Sequence, residues 1–297
     1  MLDTPFAASR PRFPAHGIVG VAVIASAEVL LFSGNRVVAS WFTPIVWTGY
    51  VLFMDALVAR LTGRSYLTTA RAELVLVALV SIAGWWLFEW YNAPRFWRGG
   101  DEATGLWWRY HGLEPNLFLR RVGYDWAFAT IFPALFLTAA ALRATVFARF
   151  RVRPWTPSRK VLVAAVVAGA VSVALPLIVV SHWLVPLVWL GFLLVLEPIN
   201  ARRGRPSWLG DLARGDASRL FALLASGAVC GALWEFWNYW AATKWTYTVP
   251  YLGDVKVFEM PILGYLGFPP FALECYAMYH AVRGALAADG DAGPTLI

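Results

Sequence analysis

The chain has 297 residues, of which 59% are hydrophobic and only 14% charged, and its mean hydropathy is +0.58. That balance lies outside the range of water-soluble domains and excludes a soluble enzyme. A net charge of +7 does not mark a nucleic-acid binder, because the basic residues fall in short runs between apolar segments rather than along one basic face.

Stretches near the roughly 20 apolar residues that cross a bilayer occur at 16–34, 41–59, 72–92, 122–143, 160–180, 182–199, 219–241 and 261–283. The sequence therefore predicts an all-α integral membrane bundle of about eight transmembrane helices. In the first segment Arg10 and Arg12 precede Ala25-Ser26-Ala27, as in a signal peptide, but the apolar run continues to Phe32, which predicts a retained helix. With the N-terminus inside, the outer loops hold only Arg36, Arg95, Arg98, Arg109, Arg120, Arg121, Lys244 and Lys256 of the 25 basic residues. By the positive-inside rule both termini are cytoplasmic. A plasma membrane of the bacterial inner-membrane type is the expected location.

The chain also resembles itself. Asp55 to Arg60 and Ser65-Tyr66-Leu67 align with Glu197 to Arg202 and Ser207-Trp208-Leu209 at one constant offset. After a short insertion, Leu87-Phe88-Glu89-Trp90-Tyr91-Asn92 aligns with Leu233-Trp234-Glu235-Phe236-Trp237-Asn238. The expectation is a four-plus-four duplication with the halves in parallel orientation. Its parts are 1–145, 146–285 and a flexible tail 286–297. Asp55 and Glu197 precede Arg60 and Arg202 closely enough to predict local ion pairs.

Ionisable groups are costly in hydrocarbon, so those within spans face the bundle interior or a cavity. The repeated Glu-x-x-Asn places Glu89 with Asn92, and Glu235 with Asn238, on single helix faces near the outer surface. Packing glue is one reading of these pairs. The other is a site in which an apolar aromatic setting disfavours the charged carboxylate, as a general acid requires. Glu28 and Asp125 lie towards the same side, so up to four carboxylates are candidates to converge. On helix seven Gly227 and Gly231 share the stripe and predict close approach of a neighbour.

Glu89 and Glu235 are thus the candidate catalytic residues. Asn92, Asn238, Trp85, Trp234, Trp237, Tyr239 and Glu274 are the candidate binding residues. The chain carries 17 Trp, most of them expected as interface anchors, although aromatic faces also stabilise cations and flat ligands. The outer loop 93–121 has the composition of an amphipathic surface segment, and 244–260 that of a compact turn. The last helix should break about a third of the way along at Gly267, Pro269 and Pro270, which makes Glu274, Tyr276 and His280 a second cluster. Cys230 and Cys275 stand in apolar stretches without metal-ligand spacing, and no metal site is expected. No nucleotide-binding motif is present, and the cofactor is unknown.

The run Leu233-Trp234-Glu235-Phe236-Trp237-Asn238-Tyr239 resembles the Trp-Glu-Phe segment of small integral-membrane terpene cyclases. The resemblance implies an intramembrane acid that protonates an alkene or epoxide. It covers fewer than ten residues, and those cyclases are shorter and lack an eight-helix duplication, so it does not assign the family. Three functional classes follow. One is an enzyme using Glu235 or Glu89 on an isoprenoid or lipid drawn from the bilayer. Another is a non-catalytic subunit of a membrane complex that binds lipid, quinone or pigment. The third is a proton-coupled carrier. The expected partners are the bilayer, a hydrophobic small molecule and other membrane subunits, and not nucleic acid.

Overall fold

The computed structural model describes residues 12–93, 105–287 and 295–297. Arg10, Arg95, Trp97, Arg98 and most of the predicted tail lie outside the described residues. The structure is mostly helical (72%). In chain order its elements are α1 (Ala15–Phe32), α2 (Arg36–Ser40), α3 (Phe42–Thr62), α4 (Tyr66–Thr69), α5 (Arg71–Asn92), β1 (Trp108–His111), α6 (Leu117–Ala144), α7 (Arg159–Ile178), α8 (Val185–Arg202), α9 (Trp208–Ala213), α10 (Ser218–Trp240), β2 (Lys244–Tyr247), β3 (Lys256–Val257), β4 (Met260–Pro261) and α11 (Phe268–Leu286).

Among the described residues seven helices are long and apolar enough to cross a membrane: α1, α3, α5, α6, α7, α10, and α8 with the 3-10 turn that leads into it. Seven such helices suggest a membrane protein. The eighth predicted segment has a different character, dividing into a 3-10 turn at Ile262–Gly267 and helix α11. Pro269 and Pro270 stand in the first turn of α11, where their missing N–H groups break no helical bond, so the break falls before the helix. Glu274, His280 and Arg283 make α11 less apolar than the seven others. Phe271 to His280 is buried without interruption. This is the inner helix of the bundle, packed by α5, α8 and α10.

Around it, α1 packs on α3 and α7 on α8; α3 then packs on α6 and α8 on α11; α5 lies on α6 and α10 on α11. Small residues let the outer pairs close up. A Cβ on Gly49 would lie 2.8 Å from the Gly20 carbonyl oxygen, and one on Gly169 would lie 2.7 Å from that of Gly191. The α10–α11 crossing is tighter still. A Cβ on Gly227 would run into the Phe268 carbonyl, and one on Gly231 into the Phe268 ring. The close approach expected from those two glycines is present.

At the other end of the bundle Asp55 and Glu197 are bound differently from the expectation. Asp55 accepts hydrogen bonds from Ser65 Oγ at 2.7 Å and Leu67 N at 3.1 Å. Glu197 accepts them from Ser207 Oγ at 2.6 Å and Leu209 N at 3.0 Å. Each serine also caps the short helix that follows it, α4 or α9. Neither acid pairs with Arg60 or Arg202; Asp55 meets His16 Nε2 at 3.0 Å instead. An acid one helical turn from an arginine is near enough to pair, but here the caps place two oriented donors closer, inside the protein, where an unpaired donor is costly.

Candidate functional site

The site is built on the last turns of α5 and α10 and on the segments that follow them. Asn92 Oδ1 accepts the backbone N–H groups of Trp107 and Trp108 at 2.8 and 3.1 Å, and its Nδ2 donates to the Trp108 carbonyl at 3.0 Å. Asn238 does the same for Trp245, accepting its N–H at 2.9 Å and donating to its carbonyl at 2.8 Å. The repeated asparagines therefore hold backbone. What each holds is a strand, β1 after α5 and β2 after α10.

The two strands pair antiparallel, with Trp108 opposite Tyr247 and Tyr110 opposite Trp245. Residues opposite one another, or two apart, share a face of a ribbon, so these four aromatics form one face. Arg109, His111, Lys244 and Thr246 form the other, where His111 Nε2 meets Thr246 Oγ1 at 2.8 Å. The loop expected as a surface segment and the turn expected as its compact counterpart thus combine into one cap. Further bonds seal it, from Thr248 N to the Trp107 carbonyl and from Thr243 Oγ1 to the Gly112 carbonyl. Gly105 is required here, because a Cβ would collide with the Trp108 carbonyl and approach Asn92 Nδ2 at 2.5 Å.

The aromatic face meets the two repeated glutamates. Glu89 Oε1 accepts from Trp85 Nε1 at 3.0 Å, Trp108 Nε1 at 3.0 Å and Tyr110 OH at 2.5 Å. Glu235 Oε1 accepts from Tyr247 OH at 2.8 Å, and that hydroxyl in turn accepts from Trp245 Nε1 at 2.8 Å. Glu235 Oε2 is buried and has no hydrogen-bond partner among the described residues. The two strands thus share a Trp-x-Tyr motif that grips a glutamate, but one carboxyl group is saturated on one oxygen and the other is held by a single hydroxyl.

Burial pushes the Tyr110 and Tyr247 phenols well above their ordinary value of 10.0, and the neighbouring Glu89 and Glu235 add to the effect. Both phenols therefore remain donors. A folded-state value raised above the unfolded one gives stability that is complete below the unfolded value and is lost as pH rises above it. The thermal midpoint in detergent should accordingly be level through neutral pH and fall above about pH 10. Tyr247→Phe should flatten that fall, and an unchanged alkaline slope would contradict the assignment.

Between the ribbon and the helices lies a cavity of about 130 Å³. Its walls are Trp47, Trp85, Trp234, Phe268, Phe271 and the four ribbon aromatics, and the acids in its lining are Glu235 and Glu114. Ser40, Glu114 and Arg120 lie at its polar edge. Of the expected site residues, Trp85, Trp234 and Glu235 line the cavity. Glu89, Asn92 and Asn238 do not line it but bind residues that do. Trp237 donates to Glu28 at 3.0 Å, and Tyr239 meets Trp240 edge-on and Phe258 at a tilt, outside the cavity lining. Glu274 accepts from the backbone N–H of Phe192 at 3.0 Å, between α11 and α8, and does not line the cavity.

The four outer carboxylates do not converge. Glu28 is held by Trp237, and Asp125 by Trp86 Nε1 at 2.6 Å and Arg121 Nε at 3.0 Å. Four tryptophans, Trp85, Trp86, Trp108 and Trp237, thus serve as N–H donors to carboxylates. Sequence reasoning does not single out Trp47, Trp189 or Phe271 as site residues, because they stand in spans rich in similar side chains. Tyr110 and Tyr247 carried a usable signal in the alternation Trp-Arg-Tyr-His and Lys-Trp-Thr-Tyr. No protein-family model, curated protein or solved structure matches the chain.

Proposed function

We propose that the protein is a membrane enzyme that performs acid–base chemistry on a hydrophobic isoprenoid or lipid drawn from the bilayer, with Glu235 as the acid. One observation carries this reading: Glu235 lines an aromatic cavity with one oxygen fixed by Tyr247 and the other without a partner. A carboxyl group so held can deliver its proton from Oε2 to an alkene carbon. The resulting tertiary cation is stabilised by the ring faces of Trp234, Trp85 and Phe271, as cations are by aromatic quadrupoles. Loss of a proton from a neighbouring carbon to the Glu235 carboxylate restores the acid. The product is an isomer or cyclised form of unchanged mass.

Glu89 is a positioning residue in this reading. Its three donors tie Trp85, Trp108 and Tyr110 into the cavity wall.

The four-plus-four duplication belongs to the same proposal. It is supported by the matched bonds of Asp55 and Glu197, by the matched grips of Asn92 and Asn238, and by the matched packing of α1, α3, α5 and α6 against α7, α8, α10 and α11. The arginines of the Arg143 to Lys160 connection favour cytoplasmic termini and an inner-membrane location.

The test is conversion in nanodiscs. Purified protein is incubated with a panel of unsaturated prenyl alcohols and membrane lipids, and the extracts are compared by chromatography and mass spectrometry. The expected result is a new species of the same mass as one substrate. Unchanged profiles across the panel, with protein that is folded and monodisperse, would overturn the enzyme reading.

A further inference from the structure

A second cavity lies beside the first. Trp189 and Tyr247 line both, and otherwise its walls are carried by α8 and by the segment running from Val249 into the first turn of α11. Its volume is about 290 Å³, more than that of the first, and it brings no ionisable side chain except the shared Tyr247 and Tyr251 hydroxyls. Tyr251 OH is committed to the Trp183 carbonyl, and Tyr247 OH to Glu235. The second space is therefore apolar in what it offers a ligand. The first is different in kind, because Arg120 and Glu114 stand at its edge and Glu235 in its wall.

The order along the two cavities is thus polar edge, acid, aromatic partition, apolar chamber. An engineered apolar cavity of about 150 Å³ holds one benzene ring, so neither space alone fits a long tail, whereas the two in sequence do. The partition is formed by side chains. Trp189 packs tilted on both Phe268 and Phe271, with ring centroids 6.4 and 5.1 Å apart.

We infer that the ligand is a linear single-chain amphiphile with an unsaturated tail. Its polar head lies at the Arg120 edge, its middle double bonds pass Glu235, and its distal tail runs beyond Trp189 and Tyr247 into the chamber between Leu190 and Leu263. This deepens the acid–base reading, on which the choice of an unsaturated tail rests; the two-chamber binding mode stands or falls separately. Tail length then determines which bond is presented to Glu235. The chamber acts as a ruler.

Photolabelling tests the binding mode without requiring turnover. The probe is geranylgeraniol carrying a diazirine on its last isoprene unit, with the equally labelled shorter homologue geraniol, each in nanodiscs with Glu235→Gln protein so that no conversion intervenes. The long probe should label peptides containing Leu190 or Leu263, and excess unlabelled geranylgeraniol should compete. The short probe should label peptides of the first cavity, around Trp234. Leu263→Trp, at a position whose native side chain is exposed on the protein surface, should reduce second-chamber labelling by the long probe at least tenfold without reducing labelling by the short one. Leu190→Trp on the opposite wall should do the same.

Identical labelling by both probes, or label spread over the outer helix α7, would overturn the two-chamber mode. Specific two-chamber labelling alongside unchanged lipid profiles in the conversion assay would retain this inference and remove the enzyme reading.

Discussion

On the proposed acid–base reading, replacing Glu235 by glutamine should lower substrate conversion by orders of magnitude while leaving the protein folded. The amide keeps an oxygen that accepts from Tyr247 OH, the one bond Glu235 makes at 2.8 Å, so the ribbon stays anchored. What is lost is the acidic proton. General acid catalysis contributes about 10²–10⁴ in rate, and the expected fall in turnover is of that order. Substrate binding, read from the labelling described above, should change little.

Glu89→Gln provides the contrast. Its oxygen accepts three bonds, and an amide retains an acceptor but weakens each of these charge-assisted contacts. The expected result is a lower melting temperature and a partial loss of rate that tracks the loosened ribbon. Equal and complete loss in both variants would show that the two glutamates act as one catalytic pair. Full activity in Glu235→Gln would remove the assignment of the acid.

The largest effect on folding is expected at Gly227. A Cβ there would meet the Phe268 carbonyl and lie 2.8 Å from Pro269 Cα, and both obstacles are backbone. Side chains can change rotamer to make room, but the start of α11 cannot move without displacing Phe268 and Phe271 from the cavity wall. Overpacking costs typically 1–3 kcal/mol where side chains can yield, and Gly227→Val should cost about 3 kcal/mol or more. In practice the variant should fail to give a monodisperse peak after extraction. Gly210→Ala is the matched control. Its Cβ would find no neighbour closer than 3.7 Å, so its melting temperature should stay within a degree or two of the parent. A well-behaved Gly227→Val protein would mean that α10 and α11 do not cross at this point.

Much of this arrangement can be read from the letters, although the reasons for it often cannot. Membrane character follows from composition alone, since no other environment accommodates so many apolar residues. The likeness of Asp55 and Glu197 is visible because local chain geometry, a helix end followed by a capped turn, needs the same residues at the same spacing. Its cause is not visible: the pattern suggests ion pairs with Arg60 and Arg202, whereas the bonds run to Ser65 and Ser207. The Glu-x-x-Asn pairs are similarly conspicuous, but the amides bind strands that lie further along the chain. Four-residue strands are too short for periodicity to stand out, and their pairing joins residues 135 positions apart. Glu274 illustrates the same limit. An acid in a proline-broken helix reads as a site, yet it accepts hydrogen bonds from the backbone of α8. Which helix faces it is a tertiary fact that one sequence does not encode locally.

The ribbon also bears on how the chain assembles. Each of its strands emerges just after a helix from a different half of the sequence; Asn92 and Asn238 hold Trp108 and Trp245 locally, whereas each four-residue strand gains its backbone strand partner only from the other. In chain order β2 follows α10, so the strand partner of β1 exists only after α10 has been made. Loop closure over so long a separation is a late event. The walls of the aromatic chamber are therefore complete only once β2 has met β1 and α11 has brought Phe268 and Phe271 to them.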